Sequence, residues 1–191
     1  MGESNIRAFV AVDIESDEIK GKLVSAQDHL RQTGSDLKLV EPENIHITMR
    51  FLGDISAPQV EEVKHALDAI EFTPFECDFV GMGAFPSLKR VNVVWVGISG
   101  GSPELARISS TLEGGLRRIG FAPDNKGFSP HVTIARVKTG RNREMLASYI
   151  DQMRTYEFGK LPVSEIRLKR SILKPSGPVY TTIHSRSGIA R

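Results

Sequence analysis

The chain has 191 residues, 40% of them hydrophobic and 25% charged, with a formal net charge of +2; this is the composition of an ordinary soluble globular protein, sized for one domain or two small lobes sharing a core. The single cysteine, Cys77, excludes an intramolecular disulfide and a cysteine-built metal cage, and reads as a small buried residue. No apolar run reaches bilayer length and the N-terminus lacks the layout of a signal peptide, so a cytosolic protein that does not engage membranes is expected, while the mild positive charge leaves RNA binding open.

In chain order, Arg7 to Ile14 is β-branched and uninterrupted enough for a central strand. Ser16 is placed to cap a helix running to about Thr33-Gly34, with Ile19, Leu23, Ala26 and Leu30 on one face. Leu37 to Val40 suggests a short strand, and Ile45 to Gly53 a longer one. Ser56-Ala57-Pro58 opens a second helix carrying Val60, Val63, Leu67 and Ile70. Phe75 to Met82 and Val91 to Ile98 predict strands joined by a loop over 83–90. A third helix follows Ser102-Pro103 and ends at Gly120, and a fourth spans Arg143 to Met153. Val163 to Leu173 and Val179 to Ser185 predict a final hairpin turned by Pro175-Ser176-Gly177-Pro178. Strand, helix, strand, helix, strand recurs in both halves, which points to a diverged internal duplication packed as two lobes around a cleft.

Two short stretches carry the chemistry: His46-Ile47-Thr48 and His131-Val132-Thr133. Strand side chains alternate faces, so each stretch sets an imidazole and a hydroxyl on one side and apolar neighbours on the other. One His-x-Thr is more often a structural pair; two in matching strands point to a shared phosphate. Histidine gives or takes a proton near neutrality, and opening a cyclic phosphodiester needs both acts. The threonine hydroxyls suit non-bridging oxygens, and guanidinium groups suit the charge that grows as water attacks. By parity Arg50 shares the face of His46 and Thr48, whereas Met49 and Phe51 point to the core. Arg136 has the wrong parity and reaches the cleft only if its strand bulges near Ala135; otherwise it supports the sheet. No third His, Cys or paired carboxylate stands at ligand spacing beside either motif, so neither a metal nor another cofactor is expected. Phe9 and Phe85 belong to the core by default, with base stacking as the alternative.

Arg7-Ala8-Phe9-Val10-Ala11, His46 to Gly53, Pro130 to Arg136 and Ser171 to Tyr180 together resemble the 2H (two-histidine) phosphoesterases, in the branch of RNA 2′,3′-cyclic phosphodiesterases also called 2′-5′ RNA ligases. The resemblance implies an α+β, bilobal fold in which two similar halves turn antiparallel sheets to a central cleft and pack helices outside. It implies metal-independent hydrolysis of a terminal 2′,3′-cyclic phosphate to a 2′-phosphomonoester, on RNA ends such as tRNA fragments or on small nucleotides; a monomer is expected. His46 and His131 come over as catalytic residues and Thr48 and Thr133 as phosphate ligands. Arg136 comes over as facing the phosphate, and Phe9 and Tyr180 as cleft residues. His46 is assigned as acid to the leaving 3′ oxygen and His131 as base to water, an order that can be exchanged. The rivals are ligation to a 5′-hydroxyl by the reverse chemistry, and a non-catalytic nucleotide- or RNA-binding module.

Overall fold

The computed structural model describes residues 5–175 and 177–190, so Ser176 of the expected C-terminal turn lies outside the described residues. The strands are β1 (Ile6–Asp13), β2 (Leu37–Leu39), β3 (His46–Ile55), β4 (Phe75–Ser87), β5 (Arg90–Ile98), β6 (His131–Val137), β7 (Glu157–Val163), β8 (Glu165–Lys174) and β9 (Gly177–Ser187). The helices are α1 (Asp17–Gln32), α2 (Ala57–Asp68), α3 (Ser102–Arg118) and α4 (Arg143–Gln152). The helix starts follow local chemistry. Ser16 accepts from the Ile19 amide at the head of α1, and Ser56 with Gln59 forms a reciprocal capping box on α2, where Pro58 also occupies the first turn.

The fold is α+β, with an antiparallel sheet curled beneath the four helices. Strand order is β7-β4-β5-β6-β3-β1-β8-β9, with β2 also paired to β6. The order divides at β6 and β3 into two sets of four. Helices α1 and α4 pack on the first set, and α2 and α3 lie together over the second. The two lobes are thus halves of one continuous sheet rather than two separate sheets. Between them, Ile47 pairs with Val132, the middle residues of the two His-x-Thr stretches. Beyond this pair β2 takes the place of β3 along β6, with Leu37 opposite Val137 and Leu39 opposite Ala135. That exchange opens the cleft.

The helix-facing side of the sheet is a dry core: Val10, Ile47, Phe79, Val94, Val96, Val132 and Leu168 are all fully buried. Cys77 is also buried, and desolvation pushes its thiol up to about 12, so it stays protonated and unreactive. Two elements differ from the sequence-based expectation. β4 runs on through Ser87, so most of the anticipated 83–90 loop is strand, and Glu157–Val163 forms an additional strand on the sheet edge. Gly159 and Pro162 disguise this strand, since an edge strand tolerates residues that a central one does not.

Candidate active site

His46 and His131 line one cleft of about 380 Å³ together with Thr48, Thr133, Arg136, Phe9 and Tyr180. The central Ile47–Val132 pair accounts for this convergence. In an antiparallel register the neighbours of that pair run His46 toward Thr133 and Thr48 toward His131, all on the face opposite the core. The register therefore sets each histidine across from the threonine of the other lobe's stretch.

The two rings are held alike. His46 Nδ1 lies 2.7 Å from the carbonyl oxygen of Asn44, and His131 Nδ1 lies 2.7 Å from that of Ser129. A carbonyl only accepts, so Nδ1 carries the proton in both rings and Nε2 is left for chemistry. Asn44 is itself held, its side-chain amide donating to the carbonyl of Pro178 at 3.0 Å. Each ring also has an aromatic wall. Phe9 stands 4.8 Å and Tyr180 5.4 Å from the His46 ring, while Phe85 stands 5.0 Å and Trp95 6.2 Å from that of His131. Phe9 is thus buried and a cleft residue at once.

Electrostatics around His46 run chiefly one way. Burial, with Lys169 nearby, pushes its pKa below the ordinary range; the Asn44 carbonyl and Asp13 oppose this without reversing it. Asp13 lies opposite His46 on β1 and is gripped by Lys169 Nζ at 2.6 and 2.7 Å and by Arg167 at 2.8 Å. Burial alone would raise the Asp13 carboxyl, but the hydrogen bonds and charges of Lys169 and Arg167 hold it low. Burial raises the Tyr180 phenol, which stays neutral.

The arginines correct strict strand parity. On β3 the pairing with β1 slips between Val10 opposite Arg50 and Ala11 opposite Thr48, a bulge at Met49 that turns Arg50 and Phe51 over; a second slip, between Phe9 opposite Phe51 and Ala8 opposite Gly53, returns Ile55 to the core side. Arg50, expected in the cleft, instead faces α3, with Nε 3.1 Å from Glu113, Nη1 3.5 Å from Asp124 and Nη2 2.6 Å from the Ala122 carbonyl. Phe51, expected in the core, lines the cleft and is 46% exposed. On β6 the pairing with β5 slips between Thr133 opposite Trp95 and Ala135 opposite Val94. This bulge at Ile134 buries both Ile134 and Ala135 and swings Arg136 into the cleft. Gln27 of α1 braces it: its buried amide donates to the Ile134 carbonyl at 2.9 Å and to that of Val40 at 2.7 Å.

Sequence reasoning missed Arg7, Lys38, Asn44 and Ser171 as cleft residues. Arg7 has the parity of Phe9, and Lys38 lies opposite Arg136, so alternation and pairing offered a signal for both. Among the described residues no three His, Cys, Asp or Glu side chains gather as metal ligands, and no helix is long and apolar enough to cross a bilayer.

Comparison with known proteins agrees with this architecture. The model of the LigT-like phosphoesterases matches twice, over residues 12–95 and 96–180. The chain is 44% identical over 164 residues to the RNA 2′,3′-cyclic phosphodiesterase of Aeropyrum pernix, spanning 86% of this chain and 93% of that one. It is 36% identical over 179 residues to the enzyme of the same name from Methanothermobacter thermautotrophicus, spanning 92% and 95%. A crystal structure of a Thermus thermophilus protein superposes with a TM-score of 0.78 at 29% identity, covering 95% of this chain and 97% of that one. Escherichia coli LigT in its apo form superposes with a TM-score of 0.77 over 97% and 98% of the two chains, and at 21% identity it speaks for the fold alone. With both halves matched and relatives aligned along nearly their whole length, the chain belongs to the LigT-like phosphoesterase family.

Proposed function

We propose that the protein is an RNA 2′,3′-cyclic phosphodiesterase that opens a terminal cyclic phosphate to a 2′-phosphomonoester by metal-independent proton transfer between two histidines. The observation that carries this reading is the matched pair of imidazoles: both line one cleft, and both are anchored through Nδ1 so that Nε2 is free. The Aeropyrum and Methanothermobacter relatives, both named RNA 2′,3′-cyclic phosphodiesterases, support the same substrate class.

In this mechanism one Nε2 takes a proton from water as its oxygen bonds to phosphorus. The other Nε2–H gives a proton to O3′ as the P–O3′ bond breaks, leaving the phosphate on O2′ and a free 3′-hydroxyl. Thr48 and Thr133 donate to non-bridging oxygens, and Arg136 steadies the charge that builds on them. Burial favours neutral His46, which exchanges the order assigned from sequence: His46 acts as base to water and His131 as acid to O3′. Phe9 and Tyr180 act by walling His46 from bulk water. The tandem family match and the two four-strand sets support a single bilobal domain of duplicated halves. The enzyme is read as a cytosolic monomer.

The test is turnover of an oligonucleotide ending in a 2′,3′-cyclic phosphate, with chelator present. The expected product carries a 2′-phosphate, and His46→Ala or His131→Ala each slows the reaction about 10²–10⁴-fold. Full activity in either variant, or dependence on an added divalent metal, contradicts the mechanism.

A further inference from the structure

His46 and His131 are anchored alike through Nδ1, but the two anchoring carbonyls are held differently. Asn44 closes a short helical turn, Pro42–Asn44, directly before β3, and its side chain is tied to Pro178. Ser129 belongs to the irregular stretch 121–130 between α3 and β6, in which residues 122–127 are all exposed. Among the described residues no backbone-to-backbone hydrogen bond ties 122–130 to the rest of the chain. A stretch of this kind opens at little cost in free energy. The bond from His131 Nδ1 to Ser129 nevertheless depends on the path it takes.

Arg50 is what grips this loop. The bulge at Met49 turns it out of the cleft, and its Nη2 donates to the Ala122 carbonyl at 2.6 Å while Nη1 stands 3.5 Å from the Asp124 carboxylate. Its Nε lies 3.1 Å from one oxygen of Glu113 on α3, and the other oxygen of Glu113 accepts the Asp124 amide at 3.1 Å. Strand, helix and loop are thus joined at one guanidinium. The Arg50 side chain is only 15% exposed, so water competes little for these bonds. A planar fork matched to several acceptors fixes direction as well as distance, which a lysine in the same place would not. Phe128, partly buried against the core, is the loop's other hold. Between the two holds lies a cavity of about 220 Å³, lined by Met49, Arg50, Ser109 and Phe128 among others, which leaves the loop room to settle elsewhere once the guanidinium is gone.

We propose that Arg50 is a positioning residue for His131: by clamping the 121–130 loop to α3, it holds the Ser129 carbonyl on Nδ1 and so keeps the proton there and Nε2 free for the cleft. The hydrogen bond spans only two residues, so it lasts while the Ser129 backbone keeps its torsions, and the loop behind Ser129 sets those. The strand that carries the first His-x-Thr stretch thereby aligns the histidine of the second. Arg50 touches neither the imidazole nor the cleft, and acts through the chain that runs from Ala122 to Ser129. Its effect on rate rests on the reading of His131 as a proton-transfer group; its effect on the ring does not.

Nitrogen NMR on the full chain, with the rings neutral, reads which nitrogen of each histidine carries the proton. Wild type should show protonated Nδ1 at both His46 and His131. Arg50→Met should leave His46 unchanged and turn His131 into a mixture in which protonated Nε2 is populated. With a 2′,3′-cyclic mononucleotide as substrate, kcat should fall about ten-fold while KM changes little. Glu113→Ala cuts the same clamp from the helix side and should give the same two changes, so the test does not depend on the folding of one variant. A His131 tautomer that stays as in wild type in both variants, or a tautomer that shifts with no loss of kcat, overturns the role of Arg50. A wild type that hydrolyses no cyclic phosphate, with the His131 tautomer shifting in the variants as expected, leaves the clamp standing and removes the phosphodiesterase reading instead.

Discussion

His46 differs from an ordinary imidazole because it is buried beside Lys169. Acting as the base, it must be neutral to work, so the acidic limb of kcat/KM should fall below the unperturbed value of about 6.5. The same shift has a stability consequence. Its folded pKa lies below the unfolded one, so its contribution is present in full above the unfolded value and is lost as pH falls through the folded value. Replacing Lys169 by Met leaves Asp13 the nearer charge and should move the acidic limb upward; a limb that moves down or stays put contradicts this account of His46. Gln27 is the other residue whose reach exceeds its position. Gln27→Leu removes the buried donor from the Ile134 and Val40 carbonyls, and should cost on the order of 1–3 kcal/mol in urea unfolding. Because the bulge it braces aims Arg136, adding Arg136→Ala should cost less activity in Gln27→Leu than in wild type. Additive losses would show that Gln27 acts on stability alone. The histidines and threonines were legible in the sequence because residue type and alternation specify them. Alternation misplaced Arg50, since a one-residue slip in pairing reverses the side chains that follow it, whereas Arg136 reaches the cleft through the bulge near Ala135 on which its placement depended.

The bulges are the elements that make the site. Those in β3 and β6 follow the same threonine, trading Arg50 for Phe51 on one strand and Ala135 for Arg136 on the other. Extra residues of this kind are fixed by contacts remote in sequence, such as Gln27 to Ile134 and Arg50 to Glu113, so alternation did not announce the bulge in β3 and left the one near Ala135 as an alternative. The strands around the His131 ring depend on a small residue instead. A Cβ added at Gly83 of β4 would collide with the ring of Trp95 on β5, and Trp95 together with Phe85 walls His131. Gly83→Ala should therefore displace the indole, seen as a shift in tryptophan fluorescence, and lower kcat/KM with the fold retained. Unchanged fluorescence and rate would show that Trp95 does not position the imidazole. Helix starts were legible for the opposite reason. Ser16 and Ser56 act on amides three residues away, and that range is written in the sequence. β7 escaped because its only cue was apolar Phe158, Leu161 and Val163 broken by Gly159 and Pro162.

At the scale of the molecule, one continuous sheet brings together two motifs from opposite halves of the chain, and a single backbone pair, Ile47 with Val132, sits at its middle. Helices α1 and α4 pack on one half of that sheet, and α2 and α3 on the other. The lobed α+β plan could be anticipated from the recurring element order, but not the fusion of both lobes into one sheet, which depends on pairing between strands far apart in sequence. The central claim is that His46 and His131 act as a unit on one phosphorus atom. It is tested most directly by comparing His46→Ala, His131→Ala and the double variant for hydrolysis of a 2′,3′-cyclic phosphate in chelator. Groups that serve one step are strongly non-additive, so the double variant should lose about as much rate as either single one. Losses that multiply in the double variant would mean that the two imidazoles work independently, and would contradict the account.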